Sequence, residues 1–175
     1  MKLRENSKIV YLSDIHFEEF EDRDSALYYF VSDLVTYYKN DILCIAGDIY
    51  SDFRETLSFV KLIEQANIKG VFVLGNHDYW NNENLSHKDV LEIFKYETKD
   101  FKNFHFLHTG KIVNIDGVNF IGDTGWSSFK IGKTDFIQKK KFIKYANKLP
   151  ENTKVRDFDI FEIRKMHSDW IDFAN

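Results

Sequence analysis

The segment Val71–Asp78, with the sequence VFVLGNHD, decides the fold of this chain. Its first four residues are β-branched, aromatic or aliphatic, which is typical of a buried strand, and Gly75 marks the point where that strand ends. Asn76, His77 and Asp78 follow directly, and their side chains can bind a cation or move a proton. A strand that ends in such a string predicts a functional site at the carboxyl edge of a parallel sheet.

Two earlier segments repeat this arrangement. Ile9–Leu12 and Ile42–Ala46 are short apolar runs rich in β-branched residues, and each is followed by turn residues. Asp14 and His16 come after the first run, and Asp48 comes after the second. Alternate residues of an extended strand share a face, so Asp14 and His16 are expected to reach one ion. The sequence therefore predicts that three separate segments converge at one edge of a sheet.

The segments between these strands have the spacing of amphipathic helices. Apolar residues recur at helical intervals in Ser25–Lys39 and Arg54–Asn67, and a third helix is predicted over Ser86–Lys99 with Ser86 as its amino-terminal cap. An alternation of strands and helices favours a parallel sheet with right-handed crossover connections. The predicted fold class is α/β, with a mostly parallel first sheet and flanking helices.

The second half of the chain is predicted to hold one more strand, a β-hairpin and two helices. The dipeptide Asp116-Gly117 between two apolar runs is a strong hairpin signal. The ranges are Phe104–Leu107 for the strand, Lys111–Ile115 and Val118–Gly122 for the hairpin, and Thr134–Asn147 and Asp157–Ala174 for the helices. Pro150 separates the two helices.

Composition limits the domain organisation and the location of the protein. A chain of 175 residues with 43% hydrophobic residues is long enough for one well-buried domain, so we expect a single domain over residues 1–175. The net charge of −4 gives no electrostatic basis for non-specific nucleic-acid binding. The single cysteine, and the lack of an apolar amino-terminal segment, predict a cytoplasmic protein that does not enter a membrane.

The candidate residues are hard oxygen and borderline nitrogen ligands, a set that suits Mn, Fe or Zn acting on phosphate oxygens. We expect two divalent ions with Asp48 as the bridge, and a water between them as the nucleophile. Asn76 is a neutral ligand, which keeps the loaded centre positive and attractive to phosphate. His77 is expected to give a proton to the leaving oxygen, and Asp78 to hold its imidazole.

The ordered set D-x-H, G-D and G-N-H-D resembles the calcineurin-like metallophosphoesterase superfamily. The segments Asn103–Phe129 and Val155–Phe158 are also similar to its small bacterial and phage members. The resemblance implies a two-sheet α/β sandwich. It also implies metal-dependent hydrolysis of phosphomonoesters or phosphodiesters of small molecules.

By the same resemblance, Asp14, His16 and Asp48 hold the first metal ion. Asp48 and Asn76 hold the second, and His77 assists the leaving group. Members of the family continue with a metal-binding histidine and a G-H-x-H string, neither of which occurs in this sequence. We therefore expect a carboxyl-terminally truncated domain with an incomplete sandwich and a weak second metal site.

Two consequences of that difference stay open at the level of sequence. An uncovered apolar sheet face favours self-association or a complementing carboxyl-terminal chain, because exposed apolar area costs about 25 cal/mol per Å². The missing ligands leave catalytic activity undecided. The alternative to a phosphoesterase is a catalytically inactive remnant, or an interaction module, that retains a partial metal site.

Overall fold

The computed structural model describes residues 7–131, 134, 135, 144 and 148–175. Its centre is a parallel sheet in which four strands lie side by side in chain order. They are β1 (Ile9–Leu12), β2 (Ile42–Ala46), β3 (Gly70–Val73) and β4 (Phe104–Phe106). In register, Ile9 is opposite Ile42, and Gly70 is opposite both Leu43 and Phe104. The predicted parallel sheet is confirmed, with each strand within one residue of its expected position.

Three helices connect these strands, namely α1 (Arg23–Tyr37), α2 (Phe53–Gln65) and α3 (His87–Glu97). Because the strand order follows the chain order, right-handed crossovers put all three helices on one face of the sheet. Residues from each helix join the sheet in one buried apolar cluster. At its centre Phe72 stacks on Phe104 and Phe106, with ring centroids 5.1 Å apart in both pairs.

Helix α3 begins with the cap that the sequence predicts. The Ser86 hydroxyl accepts a hydrogen bond from the Asp89 N–H (3.3 Å), and the Asp89 carboxylate accepts one from the Ser86 N–H (2.9 Å). This reciprocal pair is a capping box, which satisfies two amino-terminal N–H groups of a helix. The capping box fixes the start of α3, after the loop that follows β3.

A β-hairpin lies on the opposite face of the sheet. Strands β5 (Val113–Ile115) and β6 (Val118–Phe120) pair antiparallel around Asp116 (φ 50°) and Gly117 (φ 87°). Two consecutive positive φ angles are typical of the tight turn that an Asp-Gly pair favours, so the predicted hairpin is confirmed. Its buried residues form a second apolar cluster with side chains of β2 and β3, including Ile42.

The hairpin covers only part of this face. Ile9 and Tyr11 of β1 are 46% and 83% exposed, and no described residue buries them. The expected truncation of the domain, with an incomplete sandwich, stays a prediction. Self-association, or a chain that covers this face, stays a prediction.

The carboxyl-terminal part holds a short strand pair and two helices. Strands β7 (Lys130–Ile131) and β8 (Thr134–Asp135) are antiparallel, and α4 (Glu151–Lys154) and α5 (Ile160–Ala174) follow. The helix predicted over 134–147 is wrong at its start, because residues 134 and 135 pair with β7 instead. Most of that range lies outside the described residues. None of the helices that the structure describes is long and apolar enough to cross a membrane.

His87, the first residue of α3, is buried with 3% of its surface exposed. Rings of Tyr79, Trp126 and Phe158 surround it, with centroids 5.1 to 5.4 Å from the imidazole. Its Nε2 atom has no hydrogen-bond partner among the described residues. Burial therefore lowers the pKa of His87 to about 4.

This buried imidazole predicts a loss of stability in acid. The unfolded chain binds a proton at His87 near pH 6.5, whereas the folded chain binds it only near pH 4. Stability is therefore lost as the pH falls through this window, and from pH 7 to pH 4.5 the cost is roughly 2 kcal/mol. Urea unfolding of the wild type and of His87→Phe at both pH values measures it. An equal pH dependence in the two proteins would contradict the prediction.

Candidate metal centre

The loops that follow β1 and β2 run side by side at the carboxyl edge of the sheet. The Asp14 N–H donates to the Gly47 carbonyl and the His16 N–H donates to the Asp48 carbonyl, both at 3.1 Å. Asp14, His16 and Asp48 have φ angles of 52°, 48° and 53°, a left-handed backbone that is uncommon outside glycine and concentrates at functional sites. The expectation that residues 14 and 16 share a face of an extended strand is wrong, because β1 ends at Leu12.

Two glycines allow the loops after β2 and β3 to touch. A Cβ atom on Gly47, which has φ 85°, would lie 2.2 Å from the backbone nitrogen of Gly75. A Cβ atom on Gly75 would lie 2.1 Å from Oδ1 of Asp48. Both distances are far below van der Waals contact, so any side chain at either position would push Asp48 away from its place.

Asp14, His16 and Asp48 form a group that fits a divalent cation. One potential ligand atom from each lies within 4.8 Å of those of the other two. Nδ1 of His16 is hydrogen-bonded to Oε1 of Glu18 (2.8 Å), which leaves Nε2 of His16 free to bind a metal. Two carboxylates and one imidazole are suitable ligands for Mn, Fe or Zn. The structure thus brings together the three residues that the sequence assigned to the first ion.

Asn76 lies beside this group and is oriented by a residue that sequence reasoning missed. Its Nδ2 atom donates to Oε1 of Glu151 (2.8 Å), which leaves its Oδ1 atom available to a cation. Glu151 is buried in the first turn of α4, and 75 positions of sequence separate it from Asn76. Asp48 and Asn76 line the same pocket, and both are oxygen ligands. The assignment of a second cation to these two residues stays a prediction.

Asp78 does not hold the imidazole of His77, so that expectation is wrong. The Asp78 side chain is fully buried, and its carboxylate accepts five hydrogen bonds of 2.6 to 3.2 Å. The donors are the backbone N–H groups of Asp48, Ile49, Tyr50 and Gly75 and the hydroxyl of Thr56. Asp78 therefore ties together the loops that follow β2 and β3, and it has a structural role.

The charge of Asp78 follows from these contacts. Burial raises the pKa of its carboxyl group to about 6, against the opposing effect of the hydrogen bonds from Thr56 and the backbone. The group is therefore ionised at neutral pH, and only an ionised carboxylate accepts from all five donors without a proton in the way.

His77 stands next to the metal group and is held by Ser51. Nδ1 of His77 lies 2.8 Å from Oγ of Ser51, and the ring stacks on Trp80 at a centroid distance of 4.0 Å. The His16 ring meets it edge-on at 4.8 Å. The imidazole of His77 is therefore restrained on two sides.

Glu18 links the imidazole of His16 to Ser51, which in turn contacts the imidazole of His77. Its Oε1 atom accepts from Nδ1 of His16 and from the Ser51 hydroxyl. Burial alone would raise the pKa of Glu18, but the hydrogen bonds from Ser51 and His16 outweigh it and lower the pKa. Sequence reasoning missed both Glu18 and Ser51. The spacing of Glu18, two residues after His16, was the only local signal that could have found it.

A pocket of about 310 Å³ opens beside Asp48 and Asn76. Trp126 and Phe158 provide its aromatic walls. Nδ1 of His167 in α5 approaches the Trp126 carbonyl at 2.5 Å, which attaches this wall to the helix. Trp126 both lines this pocket and packs against the apolar core.

Comparison with known proteins agrees with this geometry. The family model described as calcineurin-like phosphoesterase matches residues 7–174. The chain belongs to this family. The chain is also similar to "Uncharacterized protein L509" of Acanthamoeba polyphaga mimivirus, with 30% identity over 172 residues. That match covers 93% of this chain but 60% of the viral protein, so the chain spans less than two thirds of this relative's length.

The family assignment confirms the resemblance found in the sequence and the α/β fold class. It also agrees with a hydrolase that binds divalent metal ions, for which the structure supplies candidate ligand groups.

The structural role of Asp78 predicts that Asp78→Asn destabilises the fold. The substituted amide would turn an NH₂ group toward backbone donors, and an unsatisfied buried group costs about 1–3 kcal/mol. We expect the free energy of unfolding in urea to fall by roughly 3 kcal/mol. Asp33→Asn, at an exposed position of α1, is the control and should change little. A variant with wild-type stability and reduced turnover would instead support a catalytic role for Asp78.

Proposed function

We propose that this protein is a metal-dependent phosphoesterase that hydrolyses phosphomonoesters or phosphodiesters of small molecules. The observation that carries the proposal is the group of Asp14, His16 and Asp48, whose ligand atoms lie within 4.8 Å of one another in a chain of the calcineurin-like phosphoesterase family. When bound in such a site, divalent cations lower the pKa of a water molecule and polarise the phosphoryl oxygens.

The ligand residues have complementary roles. Asp14, His16 and Asp48 would hold the first cation, and Asp48 and Asn76 would hold the second. Two carboxylates leave a pair of divalent cations with net positive charge, which attracts a phosphate anion. The hydrogen bond from Asn76 Nδ2 to Glu151 supports this assignment, because it aims a neutral oxygen rather than a third charge at the site.

His77 is proposed to protonate the leaving oxygen. Ser51 engages Nδ1 of the ring, so Nε2 is the nitrogen left for the substrate. Stacking on Trp80 supports the assignment, because a ring held on its face keeps one direction for proton transfer.

The organic part of the substrate is proposed to lie in the pocket between Trp126 and Phe158. Its volume of about 310 Å³ is at the lower end of the range for small-molecule sites, and its aromatic walls suit an apolar or planar group. Asp48 and Asn76 line the same pocket, so a phosphoester whose organic group is bound there has its phosphorus close to the metal ligands.

Removal of the bridging charge tests the proposal directly. Asp48→Asn preserves an oxygen that can accept from the His77 N–H but removes the carboxylate. We expect the rate of bis(p-nitrophenyl) phosphate hydrolysis with Mn²⁺ to fall at least about 100-fold, because loss of a ligand charge weakens the binding of both cations. Treatment of the wild type with a chelator should abolish the activity, and added Mn²⁺ should restore it. The matched control is Asp33→Asn, and equal rates in Asp48→Asn and wild type would refute catalysis at this site.

The role of His77 predicts a dependence on the leaving group. His77→Gln should lower kcat about 100-fold or more for an alkyl phosphoester, whose leaving oxygen needs a proton. The same variant should change kcat much less for a p-nitrophenyl ester, because p-nitrophenolate leaves without protonation. Steady-state kinetics on the two esters measure the difference. An equal loss on both esters would show that His77 acts in another way.

A second candidate function is an inactive module that retains a partial metal site. The described residues offer Asp48 and Asn76 to the second cation, which is few ligands for tight binding. Metal analysis of the purified protein separates the two functions. Two ions per chain with turnover supports the phosphoesterase, whereas one ion or none without turnover supports the inactive module.

A further inference from the structure

A continuous chain of side-chain hydrogen bonds joins the two imidazoles of the site. His16 Nδ1 contacts Glu18 Oε1 at 2.8 Å, Ser51 Oγ donates to the same oxygen at 2.5 Å, and His77 Nδ1 contacts Ser51 Oγ at 2.8 Å. We propose that Glu18 and Ser51 are positioning residues that hold the rings of His16 and His77 with Nδ1 protonated and Nε2 free. The tasks of the two rings rest on the proposed function, but their orientation does not.

The direction of every bond in this chain follows from counting protons. An ionised carboxylate only accepts, so both His16 Nδ1 and the Ser51 hydroxyl must donate to Glu18. The hydroxyl has one proton, which it gives to Glu18. At His77 the Ser51 oxygen must therefore accept, and Nδ1 of His77 must carry the proton. One carboxylate thereby selects the same tautomer in two histidines.

The selected tautomer suits both tasks. The unprotonated Nε2 of His16 is a metal ligand, and hydrogen bonding of the other ring nitrogen to a carboxylate is the usual support of such a ligand. To serve as the acid, His77 must first take up a proton at Nε2 and become the imidazolium; when Nε2 gives that proton to the leaving oxygen, the neutral ring left behind is the Nδ1–H tautomer. Neither imidazole then needs to rotate or change tautomer.

Glu18 is itself firmly placed. It lies in a short 3₁₀ turn, Phe17–Glu19, whose first residue is 2% exposed. The Phe17 N–H donates to the Ile49 carbonyl at 3.1 Å, which fixes the turn against the loop that carries Ser51. The hydrogen-bond chain therefore connects two loops that are already tied together through the backbone.

A competing use of the same atoms is a cation held by His16, Glu18 and His77, whose ligand atoms also lie within 4.8 Å of one another. Such a cation would have to compete for Glu18 with the hydrogen bonds that its Oε1 atom accepts from His16 and Ser51. The observed bonds therefore favour positioning. The test includes this cation as an outcome that would overturn the proposal.

The tautomers are read by long-range ¹H–¹⁵N NMR of the histidine rings in the full chain at pH 8. We expect the Nδ1–H tautomer for His16 and His77 in the wild type. In Ser51→Ala, His77 should become a mixture of tautomers while His16 is unchanged, and Ser51→Thr should restore the wild-type pattern. In Glu18→Ala, the freed Ser51 proton should shift His77 toward the Nε2–H tautomer.

Mn²⁺ affinity, measured by calorimetry, gives the second readout. Glu18→Ala should weaken binding about 10- to 100-fold, because His16 loses the partner that orients it. Ser51→Ala should weaken binding much less than Glu18→Ala, because His16 keeps its hydrogen bond to Glu18 when only the Ser51 hydroxyl is removed. The matched control is Glu19→Ala, an exposed glutamate of the same turn, which should change neither the tautomers nor the affinity.

An Nε2–H tautomer of His77 in the wild type overturns the proposal, as does Glu18→Ala with wild-type tautomers and affinity. So do Zn²⁺-induced ¹⁵N shifts at the Nδ1 atoms, which would reveal the competing cation. If Glu18→Ala does not fold, the tautomers measured in the wild type and in the two Ser51 variants still test the proposal. These measurements do not depend on turnover. A protein that shows the expected tautomers but no hydrolysis would contradict the proposed function and still support the positioning role of Glu18 and Ser51.

Discussion

The buried carboxylate of Asp78 is the interaction on which the site depends. Backbone N–H groups of the loops after β2 and β3 point at one side chain, and each of them would be left without a partner if either loop moved. A fully buried charge is tolerated only when its hydrogen bonds are all made, so the arrangement is all-or-none. Asp48 is held through its own backbone N–H, and its side chain is thereby held with it.

This interaction also explains how the site sustains an unfavourable backbone. Asp14, His16 and Asp48 all adopt left-handed conformations, which cost about 1–3 kcal/mol each and persist only where the surroundings determine them. The sheet supplies the surroundings, because parallel register brings the ends of three neighbouring strands to one edge. The hydrogen bonds between the loops then turn the side chains toward a common point. The fold itself therefore places the candidate metal ligands close together.

Local signals predicted most of the fold. Runs of β-branched and aromatic residues located the four strands, Ser86 located a helix start, and Asp116-Gly117 located the hairpin. Each of these signals acts within a few residues of sequence. The helix predicted from Thr134 failed at its start because pairing with β7 outweighed an apolar spacing that was only suggestive.

The amino-acid sequence by itself determined the order of strands and helices, the family and the identity of the principal metal-ligand candidates. Those features depend on residue type and short spacing. Only the tertiary structure decided which contacts each candidate makes. The Asp78 carboxylate accepts hydrogen bonds from the backbone. Ser51 and Glu18 hold the imidazoles, and Glu151 orients Asn76. Hydrogen bonds between side chains depend on loop angles set by distant contacts, and such contacts leave no periodicity in the sequence.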